Sequence, residues 1–356
     1  MIDFLVIGGG VAGLSAAAKL SEHGAVTVLE RESNVGYHAS GRSAAMFEET
    51  YGLPSTIALN RASKHWHLDV AGARGTPRGL MLLGSDGNED AFAHDMKAMA
   101  MARMGFDEAR GLIPVLNPDT VTQTAYHAEA WDIDTDAVLQ RFIKIIRGNG
   151  GQVVTDAAVT AIAGTAQGWQ VTAGETYNTR QIVNAAGAWA DEVAKLAQVH
   201  PIGLQPMRRS MARVAAPEGH NPAKWPMLFG PGETWYAKPD AGALLISPAD
   251  EEPVAPMDAW AEDMTLAEGI ARYEAHVTTS VTRMLSNWAG LRSFSPDRNL
   301  CLGASERPGF WWCAAQGGYG FQTAPAASQL IADLITGAPS ELDRDTIAAL
   351  DPARFR

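Results

Sequence analysis

Two cysteines, Cys301 and Cys313, are the only thiols in 356 residues. That is too few for a disulfide framework and points to a reducing compartment. Long apolar runs are missing as well: none reaches the ~18 residues a membrane span requires, so no crossing of a bilayer is expected. Basic charge is scarce. Lys and Arg number 28 against 40 Asp and Glu, a net charge of −12, and the cations are scattered or paired with acids. Phosphate backbones are bound by clustered Lys and Arg, so a nucleic-acid partner is not expected. The opening Met1-Ile2-Asp3-Phe4 has no basic leader, and glycines interrupt the first apolar run at once. It reads as folded structure and not as a signal peptide. Repeats and low-complexity segments are absent too. What the chain has in excess is glycine, 35 residues, in a length that suits two domains at roughly 150 residues each.

The first thirty residues read as one strand–helix–strand unit. Ile2 to Ile7 suits a buried parallel strand, Gly8-Gly9-Gly10-Val11-Ala12-Gly13 follows, and Leu14 to His23 is an Ala- and Leu-rich helix stopped at Gly24. Ala25 to Leu29 is a second strand, ending on Glu30. Residues 31–52 show no period but hold Gly36, Gly41 and Gly52, and read as a long ordered loop or a broken helix, the kind of segment that is usually functional. Strands follow near 152–154, 159–163, 169–172 and 181–184, then an antiparallel sheet over 205–250, helix around 258–286, a strand over 309–315 and a long helix near 322–336.

Gly8-x-Gly10-x-x-Gly13 is informative because of its setting. The first glycine makes a tight turn, the second admits a pyrophosphate, the third lets helix and sheet pack, and the helix start offers the amides of Val11, Ala12 and Gly13. Glu30 stands where a ribose hydroxyl would be accepted, and an acid there disfavours NADP. Further glycine-rich strand ends at 184–188 and 316–320 favour FAD over NAD, because a long flavin dinucleotide is gripped at several points. None of the nine histidines has metal-ligand spacing. Asp132-Ile133-Asp134-Thr135-Asp136 lacks the glycine and terminal glutamate of a calcium loop and reads as a helix N-cap.

Six blocks carry a family resemblance: Asp3 to Gly10 with Glu30-Arg31-Glu32, Gly36 to Ala45, Asp132 to Asp136, Val183 to Trp189, Trp288 to Phe294, and Ala314 to Gly320. Together they resemble the glycine/D-amino-acid oxidase (DAO) family of flavoproteins, and within it the FAD-dependent D-arginine dehydrogenases. The resemblance runs nearly end to end, weakest over 84–120. It implies an α/β fold, α+β overall: a Rossmann-like FAD-binding domain over 1–75, 132–203 and 290–356, and a discontinuous antiparallel-sheet substrate domain over 76–131 and 204–289.

For the cofactor, non-covalent FAD, the resemblance implies Gly8, Gly10, Val11, Ala12, Gly13, Glu30 and Arg31 at the nucleotide end, with Val154 at adenine. Ser40, Gly41, Arg42, Ser43, Ala44 and Ala45 would pass along the isoalloxazine. Ala185, Ala186, Gly187 and Trp189 would form a further approach, and Gly317, Gly318, Tyr319, Gly320, Phe321, Gln322 and Thr323 a helix start facing the flavin. Arg292 matches the arginine that forks onto a substrate carboxylate, with Arg209, Tyr51 and Tyr236 as helpers; a planar guanidinium matches a carboxylate bidentately. Since alternation along a strand turns only one of Arg208 and Arg209 inward, the choice between them is open at this point.

Two departures bear on specificity. Leu80 stands where the D-arginine enzymes present a glutamate, and Met46 where they place a histidine. With Met227 and Phe229 these make the expected pocket apolar, Gly318 bordering it and Glu48 the one charge nearby. An unpaired cationic head buried there would cost several kcal/mol. The expected reaction is hydride transfer from Cα of a D-amino acid with a neutral or hydrophobic side chain, giving an imino acid and then a 2-oxo acid and ammonia. Oxygen or another acceptor would take the electrons, in the cytoplasm or, if the acceptor is a quinone, at the periphery of the inner membrane. The alternatives are oxidation of a 2-hydroxy acid or an N-alkyl amino acid, and a non-catalytic flavin subunit of an electron-transfer complex.

Overall fold

A computed structural model describes residues 1–70 and 75–356. The opening unit is present as β1 (Ile2–Ile7), α1 (Val11–Leu20) and β2 (Val26–Leu29), with β1 and β2 parallel. Alternation along β1 serves two cores: Val6 packs with Leu14, Val28 and Phe142 on one face, Leu5 and Ile7 with Ile182 and Trp312 on the other. On the first face α1 packs against the helices Thr135–Gly148 and Gly320–Thr336. The first of these starts on Asp134, whose side chain accepts from the Ala137 amide at 2.9 Å, the expected N-cap.

β1 lies in the middle of an eight-stranded sheet ordered Ala161–Thr165, Gly168–Ala173, Glu175–Asn184, β1, β2, Gln152–Val154. Phe310–Ala314 joins parallel to the end of Glu175–Asn184, and Cys301–Ala304 pairs antiparallel with it. The parallel part therefore draws on strands from the start, middle and end of the chain, which is the α/β class expected.

A second sheet of nine strands runs Glu252–Pro253, Gln205–Ala215, Ala243–Ser247, Tyr236–Asp240, Met227–Phe229, Leu80–Gly84, Gln123–His127, Ala102–Met104, with Met284–Phe294 also paired to Gln205–Ala215. Among the described residues its pairs are antiparallel except that of Met227–Phe229 with Leu80–Gly84. A small third sheet joins Met46–Glu48, Ala130–Asp132 and Thr76–Pro77. Residues 31–52, expected as a long ordered loop or a broken helix, contain a 3₁₀ turn at Ala39–Arg42 and the strand Met46–Glu48. Met284–Phe294 runs unbroken through residue 290, so Arg292 is carried on a strand of the second sheet. The boundary expected at 75 adjoins residues 71–74, which lie outside the described residues.

Candidate active site

The glycine turn after β1 is mechanically necessary. Gly8 has φ 113°, and a Cβ there would run into the Ala185 carbonyl oxygen; a Cβ on Gly13 would run into the carbonyl oxygen of Gly8. Strand end, turn and helix start close together only because neither residue has a side chain. The Ser40 hydroxyl accepts from the Val11 amide at 2.9 Å, which caps the first turn of α1 from the loop. Glu30, buried at the end of β2, accepts from the Gly9 amide at 2.7 Å and the Glu32 amide at 2.9 Å. Two backbone donors fix its carboxylate and leave lone pairs free for a further donor.

A cavity of about 400 Å³ runs along these groups, bordered by Gly8, Gly10, Glu30, Ser40 and Ala185. Its outer wall is stacked: the Arg31 guanidinium lies 4.8 Å from the Trp189 ring, His38 lies 4.6 Å from the same ring, and His38 Nε2 is 2.9 Å from Glu32 Oε1. Val154, expected at the adenine, stands back from the cavity. Its carbonyl accepts from the Glu30 amide at 2.8 Å to complete the strand pairing, and Ala157, Ala158 and Val159 line the wall instead. Arg42 is turned across the cavity mouth. Its Nη1 donates to Ala259 O and Ala289 O, both at 2.9 Å, and its Nη2 to Asp258 Oδ1 at 2.6 Å. Met257 and Ala259 line the cavity, so this arginine ties a segment from the second sheet over it.

The expected substrate end assembles around Arg292. In the pairing of Gln205–Ala215 with Met284–Phe294, Arg292 stands opposite Met207 and Arg209 opposite Gly290. Opposite residues share a face, so Arg292 and Arg209 are diagonal neighbours. Arg208 points the other way, held by Glu262 at 3.0 Å and by Glu252. The open choice between the two arginines thus falls to Arg209. Its Nη2 donates to Glu251 Oε1 at 3.0 Å, while its Nε is buried without a partner.

The Arg292 guanidinium rests on the bare backbone of Gly318: a Cβ there would sit 3.0 Å from Nη1 and 3.1 Å from Cζ. Arg292 and Tyr51 are both half-buried. The Tyr51 hydroxyl donates to Glu233 Oε2 at 2.9 Å, and the Tyr51 and Tyr319 rings are 5.3 Å apart. Burial pulls the Arg292 pKa down, but Tyr51, Tyr236, Glu233 and Glu251 more than reverse this and hold it above its usual value. Burial, then the neighbouring Arg292 charge, lowers Arg209. Burial followed by Glu233 raises Tyr51, which keeps it a neutral phenol. Glu251 is shared: Arg209 and Arg298 each hold it at 3.0 Å, and with Glu233 it acts on Arg292.

Beside these charges lies an apolar wall. Met46, Leu80, Met227, Phe229 and Tyr236 share one cluster, registered by the pairs Met227–Leu80 and Phe229–Tyr236. Glu48 is 4% exposed and spent locally: both carboxylate oxygens accept from Thr50, and His127 Nε2 lies 3.8 Å away. Burial raises its pKa despite the Thr50 hydrogen bonds. At the helix start, Gln322 Oε1 accepts from the Glu48 amide at 3.3 Å, and Phe321, Gln322 and Thr323 are buried. Gly41, Ser43, Ala44 and Ala45 continue the loop from the cavity to Met46. Glu233, Glu251, Asp258 and Lys238 drew no attention in the sequence, since each acquires its partners from distant segments.

The family DAO, FAD dependent oxidoreductase, matches residues 3–334. The chain belongs to the DAO family. Among curated relatives, the tRNA 5-methylaminomethyl-2-thiouridine biosynthesis bifunctional protein MnmC of Thiobacillus denitrificans is 28% identical over an alignment covering 98% of this chain and 59% of the relative. The chain therefore spans 59% of that relative's length. Among solved structures, L-proline dehydrogenase from P. horikoshii superposes with a TM-score of 0.85 at 20% identity, covering 99% of this chain and 97% of the other. Glycine oxidase from Geobacillus kaustophilus gives 0.81 at 19% identity, covering 96% of each. At these identities the structures speak for the fold, Rossmann-like with several sheets. FAD is the cofactor of this DAO oxidoreductase, and the residues fit it: bare glycines expose the start of α1, Glu30 retains free lone pairs, and the cavity continues along them. The membership is at family level; the narrower D-arginine dehydrogenase likeness belongs to specificity. No helix among the described residues is long and apolar enough to cross a membrane.

Proposed function

We propose that this FAD-dependent oxidoreductase deaminates an α-amino acid oxidatively, favouring D-enantiomers with neutral or hydrophobic side chains over D-Arg. The observation that carries the reading is Arg292, a half-buried cation backed by Gly318, with the orphaned Nε of Arg209 on its own face and an apolar wall at its side. Arg292 binds the substrate carboxylate bidentately, and Arg209 and Tyr236 help to orient it. Tyr51, held by Glu233 and packed on Tyr319, closes the site against water. Met46, Leu80, Met227 and Phe229 receive the side chain; Glu48, occupied by Thr50 and His127, does not oppose an apolar one. FAD, when bound, accepts the hydride from Cα, and the imino acid released hydrolyses in water to the 2-oxo acid and ammonia. An amine that arrives neutral needs no strong base, so Met46 in place of a histidine is compatible with turnover.

In this reading residues 1–75, 132–203 and 290–356 form the cofactor domain and 76–131 and 204–289 the substrate domain, although the strand Met284–Phe294 carries residues 290–294 into the second sheet. Oxygen or another acceptor reoxidises the cofactor, and two buried, unpaired cysteines suit a cytoplasmic setting. A secondary amine such as an N-alkyl amino acid is the second reading, favoured by the methylaminomethyl group in the name of the MnmC relative. The deciding experiment is anaerobic bleaching of the bound flavin by a substrate panel. D-Leu, D-Met and D-Phe are expected to bleach faster than D-Arg, L-enantiomers, 2-hydroxy acids or N-methyl amino acids. D-Arg ranking first refutes the pocket assignment, and an N-methyl compound ranking first transfers it to the second reading.

A further inference from the structure

Lys238 is a lysine 8% exposed, two residues beyond Tyr236 on the strand Tyr236–Asp240 and so on the same face as that pocket residue. Its ammonium donates to Ala44 O at 2.6 Å and Ala45 O at 3.2 Å and lies 2.9 Å from Asp132 Oδ1. Two of its donors go to carbonyls, and Asp132 faces it as an ion-pair partner. The other Asp132 oxygen accepts from Arg78 Nε at 2.7 Å, and Arg78 Nη1 continues to Ala223 O at 2.7 Å and Trp225 O at 2.9 Å. A polar line thus crosses from residues 223–225 through the small third sheet to two carbonyls of the loop before Met46. Burial draws the lysine pKa down and Asp132 opposes this, so the ion is kept at a cost.

The loop it holds joins the two halves of the site. Ser40 and Arg42 border the cofactor cavity, while Ala44 and Met46 pack into the apolar cluster with Leu80, Phe229 and Tyr236. Residues 43–45 belong to no helix or strand; the Ile133 amide reaches Ala45 O at 3.2 Å, while Ala44 O is held by the Lys238 ammonium. We propose that Lys238 is a positioning residue whose ammonium fixes residues 43–46, so that the cofactor wall and the substrate wall keep one registration. The cofactor half of this stands on FAD binding alone; the substrate half rests on the pocket assignment above.

Charge arithmetic makes the test clean. Removing Lys238 leaves Asp132 paired with Arg78, a neutral couple, so Lys238→Met is expected to fold. In that holoenzyme FAD release, followed as flavin fluorescence rising on dilution, should be about tenfold faster, and KM for the best substrate should rise about tenfold with kcat changing less. Lys238→Arg, which keeps the cation, should restore retention to within about threefold of the parent. FAD release and KM both within about twofold of the parent overturn the proposal. A lowered melting temperature with unchanged FAD release also overturns it, since that is the signature of packing alone. Faster FAD release with unchanged KM supports the cofactor role and counts against the pocket assignment instead. If Lys238→Met yields no folded protein, Lys238→Gln is judged by the same criteria.

Discussion

Replacing Gly318 by alanine adds a single methyl group, and the structure says where it goes: 3.0 Å from Arg292 Nη1, 3.1 Å from Cζ and 3.4 Å from Nε. Carbon contacts are comfortable near 3.5 Å or beyond, so the guanidinium must retreat by roughly 0.5 Å. A bidentate pair displaced that far forfeits about 1–2 kcal/mol, a loss of about 5- to 30-fold in kcat/KM. Stability should move the other way. Gly318 is not among the glycines at positive φ, so alanine introduces no backbone strain and reduces unfolded-state entropy, worth about 0.4–1 kcal/mol. The neighbouring Gly317→Ala serves as the contrast: φ there is 51° and the new methyl would run into the Phe294 ring, so that variant should lose melting temperature. The assay pairs thermal unfolding with steady-state kinetics and competitive inhibition by a simple carboxylate. Gly318→Ala with kcat/KM and carboxylate inhibition unchanged would refute Arg292 as the carboxylate anchor, and a melting temperature that falls as far as that of Gly317→Ala would show that the guanidinium cannot retreat.

Arg292→Ala should cost about 3 kcal/mol of substrate binding, on the order of a hundredfold, with Arg292→Lys intermediate; an unchanged kcat/KM removes Arg292 from the site. Leu80→Glu places an acid in the apolar wall and should raise the D-Arg to D-Leu ratio of kcat/KM by about tenfold or more, and a fixed ratio would show that Leu80 does not meet the side chain. His67 is fully buried with Nε2 3.0 Å from Gln322 O, and burial pushes its pKa down to about 4. The unfolded chain then takes up a proton below its ordinary value of 6.5 while the folded protein resists, so stability falls between pH 6.5 and 4 at up to about 1.4 kcal/mol per pH unit. In His67→Gln that contribution should vanish from unfolding measured across the same window; an identical pH slope in both proteins would count against it.

The strand–glycine–helix–strand order of the first thirty residues was legible because every signal in it is local: apolar run, turn, cap and acid follow one another. Antiparallel pairing over 205–250 and the helix start near 320 were legible for the same reason. Arg208 and Arg209 mark the limit. Alternation shows that they face opposite ways, but which one faces inward depends on Glu252 and Glu262, 44 and 54 residues away. Glu233 and Asp258 become site residues only through Tyr51 and Arg42, across 182 and 216 residues. Glu48, the one charge expected near the substrate, is held instead by Thr50, two residues on. Val154 is not among the residues bordering the cavity, and its carbonyl completes a sheet pairing with the Glu30 amide that only the fold reveals.

The position of β1, between β2 and Glu175–Asn184, sets a timetable for synthesis. Its second neighbour lies well over a hundred residues downstream, and α1 packs against the helix Gly320–Thr336, which is made later still. At about 5–20 residues per second, the nucleotide cradle emerges roughly 15–65 s before that wall. On a ribosome the glycine turn is thus exposed long before it can grip anything, and cofactor capture waits for a helix from the far side of the sequence.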